Sequence, residues 1–183
     1  MRFSCYILCF ILIFSLTCCA PEQSTQPVNP LAAKPVTFIA ECTIVCDTLL
    51  ATAVIKRETP QACTVEFKTP TSLEGLTFTL QQDHIDLSYN SIMFSIKANS
   101  VPSGMIVTAI MESLNAAMLD KDIIVVKSGD TVTLNGVIRG ADFVLTIKET
   151  SGEILQLEIP ERNITVDFIS FTFKEHVESN EIY

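Results

Sequence analysis

From Val36 to Phe173 apolar and polar side chains alternate with a period of two, and one helical stretch interrupts the alternation. In an extended chain successive side chains point to opposite faces, so this pattern demands half-buried strands rather than helices. Phe38, Ala40, Cys42, Ile44 and Cys46 share one face, with Glu41 and Thr43 on the other. After Asp47-Thr48 the run Leu49–Arg57 returns, Pro60 interrupts it, and Cys63, Val65 and Phe67 then alternate with Thr64, Glu66 and Lys68. The stretch Pro70–Leu76 is a turn, followed by Leu76/Phe78/Leu80, Ile85/Leu87/Tyr89 and Ile92/Phe94/Ile96. Turn residues stand between the last three runs, and the whole reads as a meander of about six strands.

The helical stretch spans 104–119. At 100° per residue, Ile106, Val107, Ile110, Met111, Leu114, Ala117 and Met118 fall within an arc of about 140°, with Thr108, Glu112 and Asn115 opposite. Ser103 is the candidate N-cap. A helix lying on a membrane surface wants basic residues on its polar face, and this one has none before Lys121, so its apolar stripe belongs against the sheet. Strands then resume at Val125–Lys127, Val132–Ile138, Phe143–Lys148, Ile154–Ile159 and Ile164–Phe173. In the last, Ile164, Val166 and Phe168 share one parity and Ile169, Phe171 and Phe173 the other, which a bulge near Phe168 reconciles. The expected fold is therefore mainly β, of the α+β class. A curved antiparallel sheet forms an incomplete barrel, and one amphipathic helix covers its concave face. Such a half-barrel either fills with side chains or leaves room for an apolar ligand.

The first 20 residues carry one charge, Arg2, then an apolar run from Tyr6 to Leu16 and a short polar stretch. This is the layout of a secretory signal, here residues 1–18, with an uncleaved anchor helix as the other reading. Leu16-Thr17-Cys18-Cys19 resembles the lipobox of bacterial lipoproteins, which assigns lipidation to Cys19, with Cys18 the alternative. Two acyl chains, commonly palmitate, on one cysteine suffice for stable membrane anchoring. Residues 19–35, with Pro21, Pro27, Pro30 and Pro35, read as a Pro-rich tether, 36–174 as the domain and 175–183 as an acidic tail. Losing Arg2 with the leader leaves 11 basic side chains against 21 acidic ones, so nucleic acid is excluded as a partner. The implied location is the extracytoplasmic face of a cell membrane.

The topology, with LLATAVIKRETPQACTVEFKTP and ADFVLTIKETSGEILQLEI, resembles the LolA/LolB/LppX fold of lipoprotein carriers. The Pro70-x2-Leu73-x-Gly75-Leu76 segment is similar to that of small Gram-positive surface lipoproteins of this fold, mostly uncharacterised. The resemblance implies an acyl ligand between sheet and helix. Its alternative is a partner role toward a cell-envelope or spore cell-wall enzyme, as in a spore-germination lipoprotein. In the carriers an arginine at a strand end helps to gate the cavity, and Arg57 stands at the matching place, although its proline follows three residues later. The carriers' long N-terminal helix has no counterpart here. The ligand-cavity candidates are thus Arg57 together with Ile110, Met111, Leu114 and Met118 of the helix.

No catalytic or cofactor motif is present: there is no phosphate loop, Gly-x-Gly-x-x-Gly or nucleophile elbow. Asp83/Asp86 and Asp120/Asp122 sit at turns or element ends, where solvated carboxylates are routine. Cys42 and Cys46 on one strand are roughly 13 Å apart, too far to bridge, so the pairing left open is one of them with Cys63 across the sheet. Metal binding needs more converging ligands than Cys42-x3-Cys46 offers. The sequence therefore points to a non-catalytic binding protein without cofactor or metal.

Overall fold

The computed structural model describes residues 28–34, 37–81, 84–97, 100, 105–119 and 122–174. Six strands come first: β1 (Phe38–Cys46), β2 (Leu49–Thr59), β3 (Ala62–Thr69), β4 (Thr77–Leu80), β5 (His84–Tyr89) and β6 (Ile92–Lys97). Helix α1 (Ile106–Leu119) follows, then β7 (Ile124–Ser128), β8 (Thr131–Ile138), β9 (Ala141–Lys148), β10 (Ile154–Ile159) and β11 (Ile164–Phe173). All eleven strands form one antiparallel sheet in the order β6-β5-β4-β3-β2-β1-β11-β10-β9-β8-β7. The sheet is thus two meanders, β1–β6 and β7–β11, joined where β1 pairs with β11. Its ends β6 and β7 do not pair with each other, so the barrel stays open, as expected from the sequence.

The turns explain the tight hairpins. Asn90-Ser91 (φ 47° and 69°) and Arg139-Gly140 (φ 45° and 77°) each place two successive residues in the left-handed region. That is the backbone of a two-residue turn whose twist matches the flanking strands. The change of parity in β11 resolves as foreseen: Glu41 pairs with Ser170 but Cys42 with Phe168, so Ile169 is the extra residue of a bulge and lies exposed. Beyond it Phe171 and Phe173 return to the concave side, where Phe171 packs on Phe38 with ring centroids 4.8 Å apart.

The core lies between the concave face and α1. Phe38, Ile44, Ile55, Val65, Phe143, Leu145, Leu157 and Val166 from the strands meet Val107, Ile110, Met111, Leu114 and Ala117 from the helix. Gly136 has no side chain because Phe143 crosses it: a Cβ there would lie 2.6 Å from the ring. The helix is buried more widely than its stripe suggested, since Thr108, assigned to the polar face, and Ser113 are also buried. The helix lies closest to β8 and β9, and its methionine side chains reach across to β2 and β3. No helix among the described residues is long and apolar enough to cross a membrane.

Residues 29–34, within the stretch read as tether, form a turn against this core. Leu31 is buried there, and the Asn29 side chain bonds both the Leu31 N–H and the Ala117 carbonyl. Four proline residues and few large apolar side chains hid this docking, because one buried leucine carries it. Ser103, Asp83, Asp120, Cys18, Cys19 and the tail 175–183 lie outside the described residues.

Candidate functional site

On β2 the concave face carries Ala51, Ala53, Ile55 and Arg57 in succession, because alternate residues share a face. Cys63 of β3 stands directly opposite Arg57, and Phe38 of β1 faces Arg57 from the other side. The strand pattern thus delivers a guanidinium to an otherwise apolar floor. Arg57 has no exposed surface at all.

The helix meets this floor through sulfur. Met118 Sδ accepts a hydrogen bond from Arg57 Nη1, and Cys63 Sγ lies 3.1 Å from Met111 Sδ. Met111 and Met118, seven positions apart, fall on one side of α1, so both thioethers reach the β2–β3 pair. Ile110 and Leu114 are also fully buried in the core. All five cavity candidates therefore lie between sheet and helix: Met118 meets Arg57, Met111 meets Cys63 beside it, and Ile110 and Leu114 belong to the same buried layer. Cys63 itself was not nominated from the sequence as a site residue; its register opposite Arg57 was the available signal.

Helix α1 is held from both meanders. Asn115 Nδ2 donates to the Pro60 carbonyl at 3.0 Å, in the β2–β3 turn, and Glu112 pairs with Arg139 in the β8–β9 turn. Outside Cys63, a recess of about 600 Å³ opens at the end of β2–β5, lined by Glu58, Thr59, Gln61, Ala62, Thr64, Thr79, Gln81 and His84 as well as Cys63. Glu58, Thr64 and Thr79 of this lining alternate with the buried Arg57, Cys63 and Phe78, so the recess opens on the outer face of the sheet, away from the Arg57–Met111–Met118 cluster.

The electrostatics follow from burial. Arg57 is lowered from its usual value by desolvation, with partial opposition from Cys63. Burial pushes the Cys42 and Cys63 thiols up to about 12, which keeps both neutral and poor as nucleophiles or ligands. Cys42, Cys46 and Cys63 are all free thiols; Cys42 pairs with Ala53 and Cys63 with Arg57, four positions further along β2, so the bridge left open from the sequence does not form. No group of three or more His, Cys, Asp or Glu side chains converges among the described residues. His84 lies 3.5 Å from Asp86 on β5, while the Asp83 and Asp120 partners of the two carboxylate pairs lie outside the described residues.

No protein-family model and no curated protein matches the chain. Among solved structures it is similar to an uncharacterised conserved protein from Thermus thermophilus, 14% identical, with a TM-score of 0.50 over 81% of this chain and 83% of that one. A LolA superfamily protein from Nitrosomonas europaea aligns at 10% identity and a TM-score of 0.41, over 80% of this chain and 90% of that one. A chain from the complex of the Clostridioides difficile CwlD amidase with the GerS lipoprotein aligns at 15% and 0.43, over 78% and 86%. At such identities what is shared with the Thermus protein is the fold. With one open antiparallel sheet and one helix on its concave side, the chain has the incomplete-barrel architecture expected from its sequence.

Proposed function

We propose that this protein is a lipoprotein, anchored through Cys19 to the extracytoplasmic face of a Gram-positive cell membrane, whose half-barrel binds an acyl chain without catalysing a reaction. One observation carries the reading. Beside β2 and β3 the helix closes the core through the flexible, polarisable side chains of Met111 and Met118, which can move aside and repack around a ligand. Branched aliphatic residues would have sealed the same seam more rigidly. The chain from residue 20 onward, purified without detergent, is expected to carry a lipid-sized excess in native mass spectrometry that is lost on denaturation. A bare mass, with no binding of an acyl probe, would sink the proposal.

The second reading is a partner or scaffold for a cell-envelope or spore cell-wall enzyme. It is favoured by β6, an edge strand on which Ile92, Met93 and Phe94 are all more than half exposed beside a backbone edge that no strand of the sheet pairs. Crosslinking in cells from a photoreactive residue at position 93 distinguishes it, since an envelope protein would be captured there.

A further inference from the structure

Arg57 is buried without a counter-charge among the described residues. Its Nη1 reaches Met118 Sδ, but Nε and Nη2 are buried and have no hydrogen-bond partner. No carboxylate of the described residues pairs with it, and the adjacent Glu58 lies exposed on the opposite face of β2. A guanidinium keeps its proton where a lysine or histidine would give one up. Leaving such a charge desolvated and unpaired is among the costlier arrangements in a protein interior.

The identity of the two orphaned atoms narrows what would satisfy them. In a guanidinium, Nε–H and the nearer N–H of Nη2 lie parallel along one edge, the edge that grips both oxygens of a carboxylate or phosphate. Met118 occupies the other corner, at Nη1, and leaves that edge free. From Arg57 the concave floor continues over Ile55, Val65, Phe67 and Phe78, all buried and apolar. A polar fork therefore stands at the head of an apolar track on the concave face.

We infer that the ligand is an acidic single-chain amphiphile, whose anionic head takes the Nε–Nη2 edge of Arg57 while its chain displaces Met111 and Met118 along the floor of β2–β4. This rests on the acyl-binding reading above and names the chemistry of its ligand. The shared requirement is two oxygens of one anionic group, which a fatty acid and a monoalkyl phosphate both supply.

The test uses the full chain in lipid nanodiscs, photolabelled with diazirine-bearing hexadecanoic acid, hexadecyl phosphate and hexadecanol, the labelled peptides being mapped by mass spectrometry. The acid, the phosphate or both are expected to label peptides containing Ile55, Met111 or Met118 at least tenfold more than the alcohol. Arg57→Met should erase that preference while alcohol labelling of the same peptides persists, which also shows that the variant is folded. Arg57→Lys, with the charge but not the fork, should retain only part of it. Equal labelling by acid, phosphate and alcohol would overturn the acidic head and leave the acyl-binding reading standing. No labelling of these peptides by any probe would overturn both. Millimolar acetate or inorganic phosphate competing as well as the long-chain acid would overturn the amphiphile in favour of a free anion.

Discussion

Asn29 donates its side-chain amide to the carbonyl of Ala117 at 2.8 Å, tying the segment ahead of the first strand to the last turn of the helix. Its Oδ1 accepts from the Leu31 N–H at 2.9 Å, which holds the turn that buries Leu31 to 1% exposure. Leu31→Ala should lower stability by about 2–4 kcal/mol, the usual cost of emptying a leucine site. Asn29→Ala should cost about 1 kcal/mol. Urea unfolding of the two variants measures both, and a Leu31→Ala protein as stable as the parent would show that the segment is undocked in solution.

Arg57→Met makes the opposite kind of prediction. Replacing an uncompensated buried charge by an apolar side chain of similar length removes its desolvation cost, so the ligand-free variant should be more stable by about 1–4 kcal/mol. The gain should appear as a rise in thermal midpoint of several degrees. A fall would mean that the guanidinium is paired within the protein itself.

The bulge in β11 and the succession of strands about one helix were legible because each depends on local periodicity: Ile164 and Phe171 cannot both face inward unless one residue between them is extra. Arg57 could be placed on the inner face by counting along β2. Its missing partner could not, since that depends on which helical side chains arrive opposite, a matter of tertiary docking. Ile92, Phe94 and Ile96 show why alternation misleads at a sheet edge. The pattern is that of a half-buried strand, yet the core reaches only Ile96 of the three, and Ile92 and Phe94 are left exposed. Leu31 was illegible for the converse reason, being a lone apolar residue among prolines.

The two buried thiols give a pH dependence with a definite sign. Cys42 and Cys63 rise from 9.0 to about 12 on folding because burial disfavours the thiolate. Above pH 9 the unfolded chain gives up these protons while the folded protein keeps them, so the native state binds more protons and loses stability as pH rises. The contribution is intact below pH 9 and disappears between 9 and about 12, with a slope approaching about 1.4 kcal/mol per pH unit for each thiol. Urea midpoints at pH 8, 9.5 and 10.5 for the parent and a Cys42→Ala/Cys63→Ala variant isolate it from other titrating groups. Parallel pH profiles for the two proteins would refute it.

Phe78 and Phe94 test how far the core reaches. Phe78 packs edge-on against Phe67 with ring centroids 6.0 Å apart and is 8% exposed, whereas Phe94 is 63% exposed. Phe78→Ala should cost about 3–5 kcal/mol. Phe94→Lys should change stability by no more than about 0.5 kcal/mol, and if β6 is a docking edge it should abolish capture of the partner without unfolding the protein. A large loss of stability from Phe94→Lys would place that ring inside the folding unit.

The pairing of β1 with β11 brings together, in the middle of the sheet, the segments Phe38–Cys46 and Ile164–Phe173, the first and last of the described strands in chain order. Each meander can be laid down hairpin by hairpin as its strands emerge, but the seam between them needs two segments more than a hundred residues apart. Until Ile164–Phe173 has been made, β1 keeps one edge open and the aromatic stack on Phe38 is absent. Without Ile164–Phe173 the join that makes two half-sheets into one wall is absent, and β1 and β10 each present an unpaired edge instead.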